Sequence, residues 1–134
     1  GDYVKRGTQL ALARTLIHES MHAYLKYVTR KYSNSEVCDV LNTYYNNHMQ
    51  NENIAHHIFM SEYVDAIASS LAAWDGHKLS SSYYNDLAWS GDMQNTEAFN
   101  KLPKSKQESI KKANKAEGDA INNATDQAQS PKCN

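Results

Sequence analysis

A pair of histidines four residues apart constrains this chain more than any other feature of its sequence. The pair is His18 and His22, and Glu19 follows the first histidine, so the segment has the pattern His-Glu-x-x-His. Residues four apart share a face of a helix, so both imidazoles can bind one metal ion. Glu19 can then reach a water held by that metal, as a general base must. The pattern predicts a hydrolytic metal centre.

The residues around this motif favour a long helix. Thr8 can serve as its N-cap, and good helix formers fill residues 9–32. Apolar side chains cover a broad surface of this helix, namely Leu10, Leu12, Ala13, Leu16, Ile17, Met21, Tyr24, Leu25 and Val28. We therefore expect a buried central helix. The alternative is that both histidines are ordinary helix residues and the glutamate is a solvated charge.

Two further helices are predicted directly after the motif helix. The polar residues 33–35 can end the first helix and cap the next, which is predicted for residues 36–48 from its apolar spacing. Residues 46–53 are polar and predict a loop. A third helix is predicted for residues 54–74, and Gly76 ends it.

The last third of the chain is more polar. Residues 77–92 show little regular pattern, but their aromatic content predicts packing over the helices and along one side of the site. A short helix is predicted at 97–102, stopped by Pro103. Residues 104–129 are helix-prone with a thin apolar stripe, which we expect to bury little area, and the end from Ser130 is expected to be disordered.

Length, charge and cysteine content exclude several classes of protein. A chain of 134 residues predicts a single domain, with a core at 1–103 and a polar helix and tail at 104–134. The net charge of -1 argues against a dedicated nucleic-acid binder. No apolar run approaches the roughly 18 residues that a membrane span needs. Cys38 and Cys133 form no CxxC motif, although one disulfide stays possible.

Catalytic zinc sites usually have three protein ligands, so the motif needs one more. The later part of the chain offers six candidates: His48, His56, His57, Glu62, Asp65 and His77. We choose His57, because it lies three residues before Met60 and seven before Val64, on their apolar face. His56 would then lie at the rim or behind the ligands.

Three segments carry a resemblance to a known family. Residues 15–25, Thr-Leu-Ile-His-Glu-Ser-Met-His-Ala-Tyr-Leu, resemble the active-site helix of SprT-like zinc metallopeptidases. Residues 57–60 resemble the later histidine, followed by apolar residues, that supplies the third ligand there. Residues 83–91 are similar to a segment of SprT-like proteins from Bacteroidetes and their phages. The resemblance covers residues 15–102.

The resemblance implies a zinc-dependent peptidase acting on a peptide or protein. Zn²⁺ would be held by His18, His22 and His57, with Glu19 as the general base for the attacking water. The implied fold is a mainly α, zincin-like domain around the motif helix. Zincins usually carry a small sheet before that helix; we expect this chain to be trimmed and most of any such sheet to be missing from it.

The sequence leaves open the role of two tyrosines and an alternative function. A phenol at Tyr83 or Tyr84 could help stabilise the oxyanion, although core packing is the simpler role for either. The alternative function is a non-catalytic zincin-like module that binds a protein partner around a structural metal, for which Asp65 or His56 could supply a fourth ligand. The compartment is not fixed by the sequence, and the cytoplasm is favoured over the others.

Overall fold

The computed structural model describes residues 6–118 and 128–133. Between residues 9 and 118 lie seven α-helices: α1 (Gln9–Lys31), α2 (Glu36–Asn47), α3 (Glu52–Ser61), α4 (Val64–Asp75), α5 (Ser81–Ala88), α6 (Glu97–Asn100) and α7 (Lys104–Gly118). A short 3₁₀ helix, Gly91–Asn95, joins α5 to α6. The described residues contain no strand, and their one isolated antiparallel bridge pairs Thr8 with Lys132. The predicted mainly α fold is confirmed.

Short polar side chains fix where the helices begin. Thr8, Ser35, Asn51, Ser80 and Thr96 each accept a hydrogen bond from the backbone N–H three residues later. These bonds satisfy donors that have no partner inside the helix, which stabilises each start by about 0.5–2 kcal/mol. The N-cap predicted at Thr8 is confirmed, as is a cap within residues 33–35.

The core lies where α1, α3, α4, α5 and α7 meet. Each of these helices contributes at least one side chain with no exposed surface, namely Leu10 and Leu25, Met60, Leu71, Leu87 and Ile110. The apolar surface of α1 is wider than the side that is buried, since Leu16 and Tyr24 remain 60% and 54% exposed. The predicted burial of this helix therefore holds for only part of its apolar surface.

The single helix predicted for residues 54–74 is in fact two helices, α3 and α4. The N–H groups of Glu62 and Tyr63 bond to the carbonyls three residues earlier, so the end of α3 tightens into a 3₁₀ turn. The Glu62 carboxylate also accepts a hydrogen bond from the Tyr44 hydroxyl of α2. As predicted, Gly76 ends α4, with a left-handed φ of 71°.

Residues 77–92 are more regular than predicted, because they contain α5. Ser80 caps this helix, and Tyr84 and Leu87 bury one face of it. The Tyr84 hydroxyl donates to the Asp75 carboxylate at the end of α4, which fixes α5 against α4. The packing role predicted for the aromatic residues is confirmed, since Tyr84 and Trp89 are buried.

Helix α7 buries more than its sequence predicted. Ile110 and Ala113 belong to the hydrophobic core, and polar contacts add to them. The Asp86 carboxylate of α5 accepts hydrogen bonds from Lys106 and Ser109 of α7. Because alanine side chains are small, α7 packs close to the other helices, and its narrow apolar stripe is enough to bury one side of it.

The end of the described chain also differs from expectation. Residues from Ser130 were expected to be disordered, but Pro131 accepts a hydrogen bond from the Gln9 N–H at 2.9 Å, and the Ser130 hydroxyl accepts one from the Leu10 N–H at 3.2 Å. Both donors lie in the first turn of α1, where backbone N–H groups lack helical partners. Residues 119–127 of the predicted helix lie outside the described residues.

No helix in the described ranges combines the length and apolarity needed to cross a bilayer. Cys38 and Cys133 are free thiols, so the disulfide that the sequence left open is not formed. Cys38 is buried, as expected for a small apolar residue of α2.

The burial of α7 gives a stability prediction. Ile110→Ala is expected to lower the free energy of unfolding by about 2–5 kcal/mol, because it leaves a cavity in a fully packed core. Chemical denaturation measures this change. Lys112→Ala, at an exposed position of the same helix, is the matched control and should change stability by less than about 0.5 kcal/mol. Equal stability of both variants would contradict the packing of α7.

Candidate metal centre

Helices α1 and α3 bring three histidine side chains together. His18 and His22 lie one turn apart on α1, and His57 approaches them from α3. The Nε2 atom of His22 lies 3.2 Å from that of His18 and 3.1 Å from that of His57. The Nε2 atoms of His18 and His57 are 3.2 Å apart. The three nitrogens thus form a nearly equilateral triangle, although the two helices are far apart in sequence.

This triangle has the dimensions of a metal site. A tetrahedral zinc ion with nitrogen ligands at about 2.0–2.1 Å holds those nitrogens about 3.3–3.4 Å apart, close to the separations found here. Hydrogen bonding cannot account for the arrangement, since each Nε2 either carries a proton or offers a lone pair. At most two of the three contacts can then pair a donor with an acceptor. The three histidines could therefore hold one metal ion.

The surroundings favour the neutral imidazoles that metal binding requires. Burial, together with repulsion from the neighbouring His22 and His57, lowers the pKa of His18 to about 4. Burial likewise lowers the pKa of His57 and of His22, with added repulsion from His22 and from His56 respectively. A neutral imidazole keeps a lone pair for a metal at neutral pH.

Each of the three histidines also has a polar partner outside the triangle. The Nδ1 atom of His18 lies 3.4 Å from the Ser90 hydroxyl, and the Nδ1 atom of His22 lies 2.9 Å from that of His56. The backbone of Asn53, one turn earlier on α3, acts on the His57 ring and raises its pKa against the larger effect of burial. Such partners fix the orientation of ligand rings in metal sites.

The triangle lies in an open cleft of about 490 Å³. Glu19 lines this cleft, and its charge acts on His22 and His57, raising their pKa against the larger effect of burial. Three further residues of α1 line it: Thr15, Arg14 one turn before His18, and Lys26 one turn after His22. Lys26 lies twelve positions after Arg14 in the helix, which corresponds to about 18 Å along the axis.

The other ligand candidates do not join the three Nε2 atoms. The Glu62 carboxylate is bonded to Tyr44, and the Asp65 carboxylate accepts from the Asn85 amide at 2.8 Å. His48 and His77 do not line the cleft. His56 lines it, but its Nδ1 atom faces the Nδ1 atom of His22 rather than the three Nε2 atoms.

The oxyanion role considered for Tyr83 or Tyr84 is wrong, because neither residue lines the cleft. The Tyr83 hydroxyl donates to the Glu117 carboxylate at 2.5 Å, and the Tyr84 hydroxyl donates to Asp75. Burial and these hydrogen bonds raise the pKa of both phenols. Both hydroxyl groups connect helices within the fold.

Outside α1, four polar residues of the cleft were not predicted from the sequence: Glu52, Asn53, Ser90 and Asp92. Asn53 and Glu52 each lie four residues before a histidine of α3, so helical spacing could have identified them. No spacing in the sequence indicates Ser90, because only the folding of the chain brings it close to His18. Asp92 follows Gly91, whose φ of 59° turns the chain toward the cleft.

Comparisons of the chain with family models, with curated proteins and with solved structures found no match.

Proposed function

We propose that this protein is a zinc-dependent metallopeptidase of the SprT-like kind. The observation that carries the proposal is the triangle of Nε2 atoms from His18, His22 and His57, with sides of 3.1–3.2 Å, in a cleft that Glu19 also lines. Two ligands and a carboxylate from one helix, with a third ligand from a later helix, are the parts that metal-assisted hydrolysis requires.

The residues of the chain divide the chemistry between them. A bound zinc ion would polarise the scissile carbonyl and make the attacking water more acidic. Glu19 accepts the proton of that water and later delivers it to the departing amine. His18, His22 and His57 act as neutral ligands, since burial lowers the pKa of each imidazole and so favours its neutral form.

The dimensions of the cleft support a chain-like substrate. Arg14 and Lys26 mark about 18 Å of cleft along α1, with the three histidines between them. An extended peptide advances about 3.3 Å per residue, so roughly five residues fit along this length. A peptide crossing the cleft would therefore place a central bond at the histidines.

The alternative, a non-catalytic module with a structural metal, has less support. A closed site needs a fourth protein ligand. Among the residues that the structure describes, the group able to hold a metal has three members, and a fourth acidic, cysteine or histidine ligand does not join them. Of the two candidates for that position, His56 is directed at His22, and Asp65 is bonded to Asn85.

Metal content and peptide cleavage test the proposal together. We expect about one zinc ion per purified chain, measured by mass spectrometry. We also expect cleavage of a peptide mixture that a chelator abolishes and added zinc restores. Absence of zinc would contradict the metal site, and zinc without any cleavage would favour the non-catalytic module.

A further inference from the structure

A chain of three polar side chains extends from the metal centre to the protein surface. Its first contact joins the Nδ1 atoms of His22 and His56 at 2.9 Å. Its second joins the His56 Nε2 atom to a Glu52 carboxylate oxygen at 3.7 Å. The His56 side chain is almost fully buried, whereas that of Glu52 is 58% exposed. The sequence places Glu52 and His56 four residues apart on α3, which brings them onto one face of that helix.

The two facing Nδ1 atoms can share only one proton. When His22 binds a metal through Nε2, its single ring proton must be on Nδ1. This N–H then donates to the Nδ1 lone pair of His56. Since neutral His56 also has one ring proton, that proton must be on its Nε2 atom, on the side of Glu52. This arrangement of protons makes the His22–His56 contact a hydrogen bond. It also points the Nε2–H group of His56 at the Glu52 carboxylate.

We propose that His56 is a positioning residue for the metal centre: it holds His22 in the tautomer and ring orientation that bind the metal, and Glu52 orients His56 in turn. The inference rests on the proposed metal site but not on peptidase activity. His56 itself does not contact the metal position, because its Nδ1 atom is directed at Nδ1 of His22 and not at the three Nε2 atoms.

The burial of His56 makes this role specific. A histidine that is 2% exposed loses its hydration, and a buried ring nitrogen without a partner destabilises the fold. An apolar side chain would fill this position of α3 without that cost. The hydrogen bond with His22 gives the Nδ1 atom of His56 a partner, and the Glu52 carboxylate lies 3.7 Å from its Nε2 atom. Only a residue with an acceptor at the Nδ1 position can maintain the contact with His22.

Two substitutions at this position separate the hydrogen bond from the packing. His56→Asn keeps an acceptor, because the asparagine Oδ1 is as many bonds from Cα as the histidine Nδ1. His56→Leu keeps volume and removes the acceptor. Zinc affinity is measured by competition with a chromophoric chelator. We expect His56→Leu to weaken zinc binding by about 10- to 100-fold, as loss of such a partner typically does, and His56→Asn to remain close to wild type.

A second measurement reports on the proton itself. In the zinc-loaded protein, nuclear magnetic resonance should show a slowly exchanging proton on Nδ1 of His22 in the wild type and in His56→Asn. In His56→Leu this proton should exchange rapidly. Thermal unfolding of the metal-free variants shows whether a loss of affinity is only a loss of fold.

Several results would overturn the inference. Equal zinc affinity in the wild type and His56→Leu would show that His22 needs no positioning. Equal losses in His56→Leu and His56→Asn, with unchanged folding, would show that the acceptor is irrelevant. If His56→Leu fails to fold, the proton exchange measured in the wild type tests the inference. A His22 Nδ1 proton in fast exchange there would exclude the proposed contact. A wild type that binds no zinc would instead refute the metal site itself.

Discussion

Glu19→Gln is expected to keep zinc at the wild-type level and to lower the rate of peptide cleavage by about 10²- to 10⁴-fold. Glutamine has nearly the shape of glutamate, and position 19 is exposed in the cleft, so the fold should not change. An amide cannot accept a proton from the attacking water at neutral pH, which removes the base. The measurement is the initial rate of cleavage of a fluorogenic peptide, compared at equal zinc content.

The control for this prediction is Glu108→Gln, which makes the same chemical change at an exposed position of α7. It should leave cleavage unchanged. If Glu19→Gln cleaved peptides as fast as the wild type, Glu19 would not be the base, even in a protein that contains zinc. A loss of zinc in Glu19→Gln would instead indicate that Glu19 contributes to metal binding.

His22→Ala is expected to remove zinc and, with it, all metal-dependent cleavage. His22 contributes one corner of the Nε2 triangle, lying 3.2 and 3.1 Å from its two partners. Its removal leaves two protein ligands, whereas catalytic zinc sites retain three. Because metal binding and folding are coupled, the zinc-dependent gain in thermal stability should disappear as well. Metal analysis and thermal unfolding with and without zinc measure the two effects.

His48→Ala is the matched control, because it removes a histidine that does not line the cleft. It should retain zinc and its stabilising effect. Full zinc content in His22→Ala would show that His22 is not a ligand. Such a result would contradict the metal centre, whatever cleavage the protein shows.

Local signals in the sequence were sufficient to predict α1, α2 and the part of the site that α1 carries. Thr8 and Ser35 marked helix starts, because a short polar side chain can satisfy free N–H groups within three residues. The four-residue spacing of His18 and His22 placed both on one helix face for the same reason of local geometry. The interruption at Glu62 could not be predicted from apolar periodicity, which continues from α3 into α4.

The position of His57 beside the motif could be predicted only in part. Its spacing from Met60 and Val64 indicated that it lies on the inward side of α3. The structure places its Nε2 atom 3.2 Å from the Nε2 atom of His18. Tyr83 shows the limit of such reasoning, since its phenol lies against Glu117 on α7, a residue 34 positions away. Contacts of this kind depend on how helices pack, and no local pattern encodes them.

The sequence by itself determined a mainly α chain in which His18, Glu19 and His22 share one helix, because helix geometry is set by residues within a few positions of one another. Only the tertiary structure decided which later side chains complete the centre. It placed His57 in the triangle, directed His56 at His22 and brought Ser90 to His18. These contacts follow from the packing of α1 against α3 and of the segment after α5, where burial of apolar side chains fixes the separation of the helices to within an ångström or so.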